Sequence, residues 1–145
     1  KPGGFRQLLQ LIETSQPKKQ EQLLNVVEKE DPVWAKQIRE KKINPDMVLS
    51  WPAEQLVVIF ENMVPRHCAC LLKTFEQGKI KEYARLFREE KYRDLKAMVE
   101  DSSEPTAPEV LMAGNHLIET VRFLDEEKKI NLRLIDPVLD LSEAA

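Results

Sequence analysis

The segment His67-Cys68-Ala69-Cys70 carries the residue types closest to chemistry. Imidazole and thiolate groups bind zinc, but a structural zinc site takes about four ligands, with about two to four residues between paired cysteines. Cysteines two positions apart on a helix point in different directions, and the other histidine of the sequence is His116. Cys68 also falls on an apolar stripe, where unpaired cysteines are commonly buried. We therefore expect no metal and no cofactor, and a structural role for the cysteines.

Carboxylates are the next candidates, because paired acids can serve general acid–base catalysis. They cluster at 28–31, 89–90 and 125–127. Each cluster lies beside lysines or arginines on a polar face, a pattern typical of a solvated helix surface. The sequence has no nucleophile elbow, phosphate loop or HExxH motif. We expect a protein that is not an enzyme.

Composition favours an all-α, intracellular protein. The 145 residues are 42% apolar and 32% charged, with four glycines and a formal net charge of −3. This charge gives no basic footprint for nucleic acid. The longest apolar runs are about five residues, against about 20 for a membrane span, so no membrane insertion is expected. Two cysteines fit a reducing, cytoplasmic compartment, and Lys1-Pro2-Gly3-Gly4 resembles the interior of a longer protein.

The stretch 44–75 predicts three short helices and the core onto which the flanking helices pack. Proline is favoured in the first turn of a helix, where its missing N–H would be unpaired anyway. Apolar side chains between these prolines recur at the spacing of one helical face. The helix starts are Asn44-Pro45, Ser50-Trp51-Pro52 and Val64-Pro65, and the apolar positions are Leu56, Ile59, Phe60, Met63, Cys68, Leu71, Leu72 and Phe75.

The first 43 residues predict three helices of their own. An apolar stripe from Phe5 to Ile12 predicts a first helix that ends near Ser15, and Pro17 lies in the first turn of the second helix. Asp31 is expected to cap the third helix, with Pro32 at its first position. The charged link 36–42 then suggests a boundary between a unit at 1–43 and a second at 44–145.

The C-terminal half predicts further helices with three interruptions. We expect a turn at 76–78 around Gly78, and a break across 88–91, where two apolar stripes fall out of phase. Thr106-Ala107-Pro108-Glu109 has the pattern of a capping box before a long helix. From Pro137 onward the chain is expected to be a loosely held tail.

Exposed charge on the central helices has two interpretations. Arg66 and Lys73 are seven residues apart and lie off the apolar stripe. Solubility is the ordinary role of such residues. Recognition is the alternative, because exposed charge sets specificity and encounter rate more than affinity. Short helices punctuated by prolines also suggest an α-solenoid, a class of fold that usually binds other proteins.

The N-terminal segment contains Gly3-Gly4, two predicted helices and then Asp31-Pro32 followed by Ala35 and by Ile38-Arg39. This order resembles the FliG family of flagellar motor switch proteins, which has a Gly-Gly, two helices and then the pattern D/N-P-x-x-A-x-x-I-R. The similarity continues through LLKTF, where the family has A-L-K-G-A, and VRFLDEEKKINL, where it has R-x-L-E-E-x-G-E-I, and it covers roughly 3–132. The matching residues of the first segment are Gly3, Gly4, Asp31, Pro32, Ala35, Ile38 and Arg39.

The resemblance implies a fold of two stacked armadillo-like helical units followed by a C-terminal helical bundle. It implies a place in the cytoplasmic ring of the flagellar motor, peripheral to the inner membrane at the basal body. The implied partners are neighbouring copies of the chain, other switch proteins and the motor stator. The implied apolar stacking residues are Leu24, Val27, Trp34, Leu56, Ile59 and Phe60.

The charged positions of the family are mostly changed. Lys73 matches the lysine of A-L-K-G-A. The next charged position of the family, an arginine on the helix that meets the stator, is occupied here by Glu90. The family's following pair of acidic residues is replaced by Ala97 and Met98, and a further arginine is replaced by Thr106. Lys73 and Glu90 are therefore the stator-facing candidates. The resemblance implies a rotor component for assembly and for rotation or switching, with altered torque charges; the alternative is a helical adaptor outside the motor.

Overall fold

A computed structural model describes residues 2–142, with side chains from Gly4 to Ser142. All regular structure in this range is helical, which confirms the predicted all-α class. The helices are α1 (Pro2–Glu13), α2 (Pro17–Glu30), α3 (Pro32–Lys41), α4 (Pro45–Leu49), α5 (Ala53–Glu61), α6 (Pro65–Leu72), α7 (Gln77–Leu86), α8 (Glu89–Glu100), α9 (Ala107–Glu126) and α10 (Leu132–Ile135), followed by a 3-10 turn at Pro137–Leu139.

The chain divides into two compact units. Unit 1 comprises 1–44 and 122–145, and unit 2 comprises 45–121. The second boundary lies inside α9, and the first is one residue from the predicted one. The sequence had predicted a second domain that includes all of 44–145, whereas the structure groups 122–145 with unit 1. The division into armadillo-like units and a C-terminal bundle stays a prediction.

Unit 1 is built on α1, α2 and α3. Asp31 accepts a hydrogen bond from the Trp34 amide at 3.1 Å, which confirms the predicted cap of α3. The rings of Phe5 and Trp34 meet edge to face with centroids 5.4 Å apart, a favourable aromatic geometry. The buried cluster of this unit consists of Phe5, Leu9, Ile12, Leu24, Ile38 and Leu141.

The segment after Pro137 is held in unit 1. The ammonium group of Lys41 donates hydrogen bonds to the carbonyls of Val138 at 2.9 Å and Asp140 at 2.7 Å. Leu139 and Leu141 are both buried. The expected loose tail is therefore wrong as far as Ser142, because apolar burial and these hydrogen bonds fix the segment; 143–145 lie outside the described residues.

Unit 2 contains the three short helices that the central prolines predicted, α4, α5 and α6. Its buried aromatic residues surround Phe60 on α5. The Phe60 ring lies parallel to that of Phe87 at 6.3 Å and is 5.9 Å from that of Tyr83. These contacts join the end of α5 to α7, and α6 packs against α8.

The predicted break across 88–91 is confirmed, because α7 ends at Leu86 and α8 begins at Glu89. A contact distant in sequence accompanies the break. The carboxylate of Glu61 accepts the Arg88 amide at 2.7 Å and lies 3.4 Å from the Arg88 guanidinium. Glu61 therefore provides an acceptor at the start of α8, where the first backbone N–H groups lack partners.

Two other local predictions have opposite outcomes. The capping box is confirmed: the Thr106 amide donates to Glu109 at 2.8 Å, and the Glu109 amide donates to the Thr106 hydroxyl at 3.3 Å. The predicted turn at 76–78 is wrong, because α7 begins at Gln77 and includes Gly78. Glycine often marks a turn, but here the Ile80 amide donates to the Glu76 carbonyl, so the first turn of α7 is helical across Gly78.

Candidate functional site

Three adjoining cavities follow one side of α6 in unit 2, and we call them together the α6 groove. Their volumes are about 500, 190 and 330 Å³. The first two share Lys73 and the loop that follows α8, and the last two share Arg66. The shared lining residues are Lys73, Asp101, Ser103, Glu104 and Pro105 for the first two cavities, and Arg66, Cys70 and Glu109 for the last two.

Helical spacing explains why α6 contributes these side chains. Arg66, Cys70 and Lys73 recur at i, i+4 and i+7, so they lie on one face of the helix. Arg66 is exposed, and Lys73 is half-buried at the C-terminal cap of α6. The structure therefore brings together the two cations that the sequence had placed on one side.

The opposite wall of the groove is acidic. The Ser103 hydroxyl donates to Asp101 at 2.6 Å. Hydrogen bonds from Ser103 lower the pKa of Asp101, and the charge of Lys73 adds to the effect. The capping hydrogen bonds from Thr106 lower the pKa of Glu109, again with a contribution from Lys73. Both carboxylates are therefore held ionised at neutral pH, and Lys73 is partly compensated within its own chain.

The two cysteines of α6 differ in position, but burial shifts the pKa of both thiols in the same direction. Burial raises the pKa of the Cys68 thiol strongly. Burial also raises the pKa of Cys70, which lines the groove; Glu109 adds to this shift and Lys73 opposes it. Because the thiolate is the nucleophile and the metal ligand, both side chains are poorly prepared for either role. Within residues 2–142, no three His, Cys, Asp or Glu residues are grouped to hold a metal ion.

The two stator-facing candidates differ in their surroundings. Lys73 lines two of the cavities, between the helix and the acidic loop. Glu90 is exposed in the first turn of α8 and is not a lining residue of the α6 groove. The assignment of either residue to a stator contact stays a prediction.

Most of the stacking candidates lie in the interior of the chain. Val27 and Trp34 are half-buried against the core of unit 1. The other four candidates have almost no accessible surface, at most 1% of each residue: Leu24, Leu56, Ile59 and Phe60. A contact with another copy through these side chains would require them to leave the core of their own chain.

Two methionines of the α6 groove were missed from the sequence. Met98 is 40% exposed and lines the central cavity, and Met112 is 59% exposed and lines the third. Met98 lies three positions after the buried Leu95 on α8, a helical spacing that favours burial and gives no sign of exposure. Met112 lies off the helical face of α9 that carries the buried Ala113, Leu117 and Val121, and that displacement is the signal that could have identified it. Flexible thioether side chains suit adaptable binding surfaces.

The fold and the groove together define an all-helical protein with an open, charged groove beside exposed methionines. No protein-family model and no curated protein matches the sequence. Among the described residues, none of the helices combines the length and the apolar character that crossing a membrane requires.

Proposed function

We propose that the chain is a rotor component of the bacterial flagellar motor that acts in the switch ring through protein–protein contacts. The ordered resemblance to the FliG family over roughly 3–132 supports this assignment. The all-α fold supports it at the level of fold class. The proposed location is the cytoplasmic side of the basal body, peripheral to the inner membrane. The proposed partners are copies of the chain, other switch proteins and the stator.

The observation that supports a binding role most directly is the position of Lys73. It is the charge that matches the family pattern, and it lies in an open groove with apolar and charged walls. Basic groups on α6 face acidic groups on the loop after α8, so a partner in the groove would meet both signs of charge. Such an arrangement favours specificity and oriented encounter.

Contacts between copies of the chain are better assigned to exposed residues than to the buried stacking candidates. Val26 on α2 is 57% exposed, and Val33 on α3 is 62% exposed. They precede Val27 and Trp34 in the sequence but are accessible, whereas Val27 and Trp34 pack against the core of unit 1. Apolar contacts of this kind carry much of the binding energy of assembled proteins.

A helical adaptor outside the motor is the second candidate. Glu90 reverses the sign of the expected arginine, and neutral residues occupy the other changed positions. Lys73 already interacts with Asp101 and Glu109, so it is not a free charge. Both observations favour a protein that keeps the scaffold and has a different partner.

Binding measurements with purified proteins distinguish the two candidates. The chain is tested against flagellar switch proteins and against the cytoplasmic part of the stator, at low and high salt. Lys73→Glu is compared with Lys96→Glu, a charge reversal at an exposed position of α8 outside the groove. Stator contact predicts slower association for Lys73→Glu alone, with the salt dependence reduced.

Each outcome has a definite meaning. If switch proteins bind and Lys73→Glu binds the stator as the unchanged chain does, the stator contact is refuted and the ring assignment remains. If neither switch proteins nor the stator binds, the motor assignment is refuted in favour of the adaptor. The melting temperature of both variants is the control, because partial unfolding would also slow association. For the exposed Lys96→Glu the change in stability should be about 0.5 kcal/mol or less.

A further inference from the structure

The two histidines of the sequence, His67 and His116, meet in unit 2. His67 lies in the first turn of α6, and His116 lies in the middle of α9. Their ring centroids are 5.0 Å apart. The side chain of His116 is 25% exposed, so solvent protons can reach it.

His116 supplies the hydrogen-bond acceptor for the residue that caps α6. Its Nε2 atom accepts the Val64 amide at 3.0 Å. A neutral imidazole that accepts at Nε2 carries its proton on Nδ1, whereas an imidazolium donates from both nitrogens and accepts at neither. The hydrogen bond between the start of α6 and α9 can therefore form only while His116 is neutral.

The charged and titratable groups around the pair come from both helices. Arg66 and Cys70 lie on α6 beside His67, and Glu109 lies across the same cavity. On α9, Nδ1 of His116 is 3.9 Å from a carboxylate oxygen of Glu119. Arg66 therefore opposes a positive charge on His67, while Glu119 favours one.

We propose that His67 and His116 form a pH-sensitive latch that holds the start of α6 against α9 when neutral and releases it on protonation. Both consequences of protonation act in the same direction. The acceptor for the Val64 amide is lost, and two adjacent rings become mutually repulsive. Because His67 lines the 330 Å³ cavity, release changes the charge and shape of one end of the α6 groove. This regulation goes beyond the proposed function, which involves no protonation.

The direction of the stability change follows from His67. Burial lowers its pKa from the ordinary value of 6.5, with further lowering by His116 and Arg66 and an opposing effect of Glu119. As the pH falls below 6.5, the unfolded chain takes up a proton on this residue before the folded chain does. The stabilisation is complete above 6.5 and is lost as the pH falls through the lower pKa of the folded state.

Nuclear magnetic resonance of the unchanged chain tests the latch directly. At about pH 7.5 the nitrogen shifts of His116 should show a protonated Nδ1 and an unprotonated Nε2, the tautomer that the hydrogen bond from Val64 requires. Between about pH 7.5 and about pH 5.5, the exchange protection of the Val64 amide should fall by about tenfold more than that of the Phe87 amide. Phe87 is the reference because its amide bonds the Tyr83 carbonyl within unit 2, a hydrogen bond that involves neither histidine.

The variant His116→Gln provides the matched control. Glutamine can accept the Val64 amide through its side-chain oxygen, and it does not titrate. We expect it to keep Val64 protected at both pH values. An Nε2-protonated His116 at the higher pH would overturn the proposal, even if the variant fails to fold. The proposal would also be wrong if, in the unchanged chain, the exchange protection of the Val64 amide changed with pH only as much as that of the Phe87 amide. The same conclusion would follow if His116→Gln lost the protection of the Val64 amide to the same extent as the unchanged chain.

Discussion

Removal of Arg122 should destabilise unit 1 by about 3 kcal/mol, at the lower end of the 3–5 kcal/mol typical of a broken buried ion pair. The Arg122 and Glu13 side chains are 5% and 0% exposed. Two guanidinium nitrogens donate to the two carboxylate oxygens of Glu13, one at 3.0 Å. The Arg122→Met variant leaves the carboxylate buried with one other partner, the Ile43 amide at 2.9 Å. That remaining hydrogen bond is the reason for the lower value.

A double variant separates the pair from the cost of an isolated charge. In Glu13→Gln with Arg122→Met, no charge is buried, and the glutamine oxygen can still accept the Ile43 amide. Buried ion pairs replaced by matched uncharged groups often lose little stability. One guanidinium nitrogen of Arg122 is also buried without a hydrogen-bond partner, which lowers the net value of the pair. The double variant should therefore be more stable than Arg122→Met.

Urea unfolding followed by tryptophan fluorescence provides the measurement. The two tryptophans lie in different units, Trp34 in unit 1 and Trp51 in unit 2. A Trp51→Phe background leaves Trp34 as the reporter on the unit that contains the pair. The prediction is wrong if Arg122→Met loses less than about 1 kcal/mol of unfolding free energy. It is also wrong if the double variant loses the full sum of the two single changes.

Three further predictions concern helix propensity and packing. In α7, Gly78→Ala should stabilise the chain by up to about 1 kcal/mol, because its Cβ meets no atom within 4 Å and alanine favours a helix. In α9, Gly114→Ala should cost about 1–3 kcal/mol, since its Cβ would lie 2.9 Å from the Pro45 ring; equal melting temperatures for the two variants would contradict this. Trp34→Ala should cost about 3 kcal/mol in urea unfolding, because the half-buried ring packs on Phe5; a loss below about 1 kcal/mol would instead make it a surface residue.

Sequence reasoning succeeded where a signal and its effect lie within one helical turn. The Asp31 cap of α3 and the Thr106–Glu109 capping box join residues three positions apart, and both form as predicted. Proline at the start of a helix acts in the same local way, because it fixes its own backbone angle and lacks an N–H. These features could be predicted because they depend on their immediate neighbours.

The same reasoning failed where partners are distant in the chain. Glu61 and Arg88 are 27 residues apart, and Glu13 and Arg122 are 109 apart. Apolar periodicity gives the buried face of each helix but does not say which polar residue faces another. The expected loose tail after Pro137 failed for this reason, because its fixation depends on Lys41 and on the core of unit 1.

The candidate site was predictable only in part. Helical spacing placed Arg66 and Lys73 on one side of α6, and both line the same cavity. The acidic wall was not predictable, because it comes from the loop after α8 and from Glu109 on another helix. Met98 shows the remaining difficulty: apolar character predicts burial, whereas this side chain is 40% exposed beside the groove.

Lys73 remains the residue on which the two proposed functions differ, and its surroundings set what a partner must supply. Lys73 contributes to the lowered pKa of Asp101 and of Glu109, so an acidic group of a partner would meet a cation whose charge these two carboxylates already partly offset. A single acidic side chain at the rim would achieve little, since exposed ion pairs typically contribute about 0–1 kcal/mol. A partner that also buries Met98 and Met112 would add apolar burial to that small electrostatic gain. The α6 groove therefore favours a partner with an apolar face flanked by charge over one that offers charge alone.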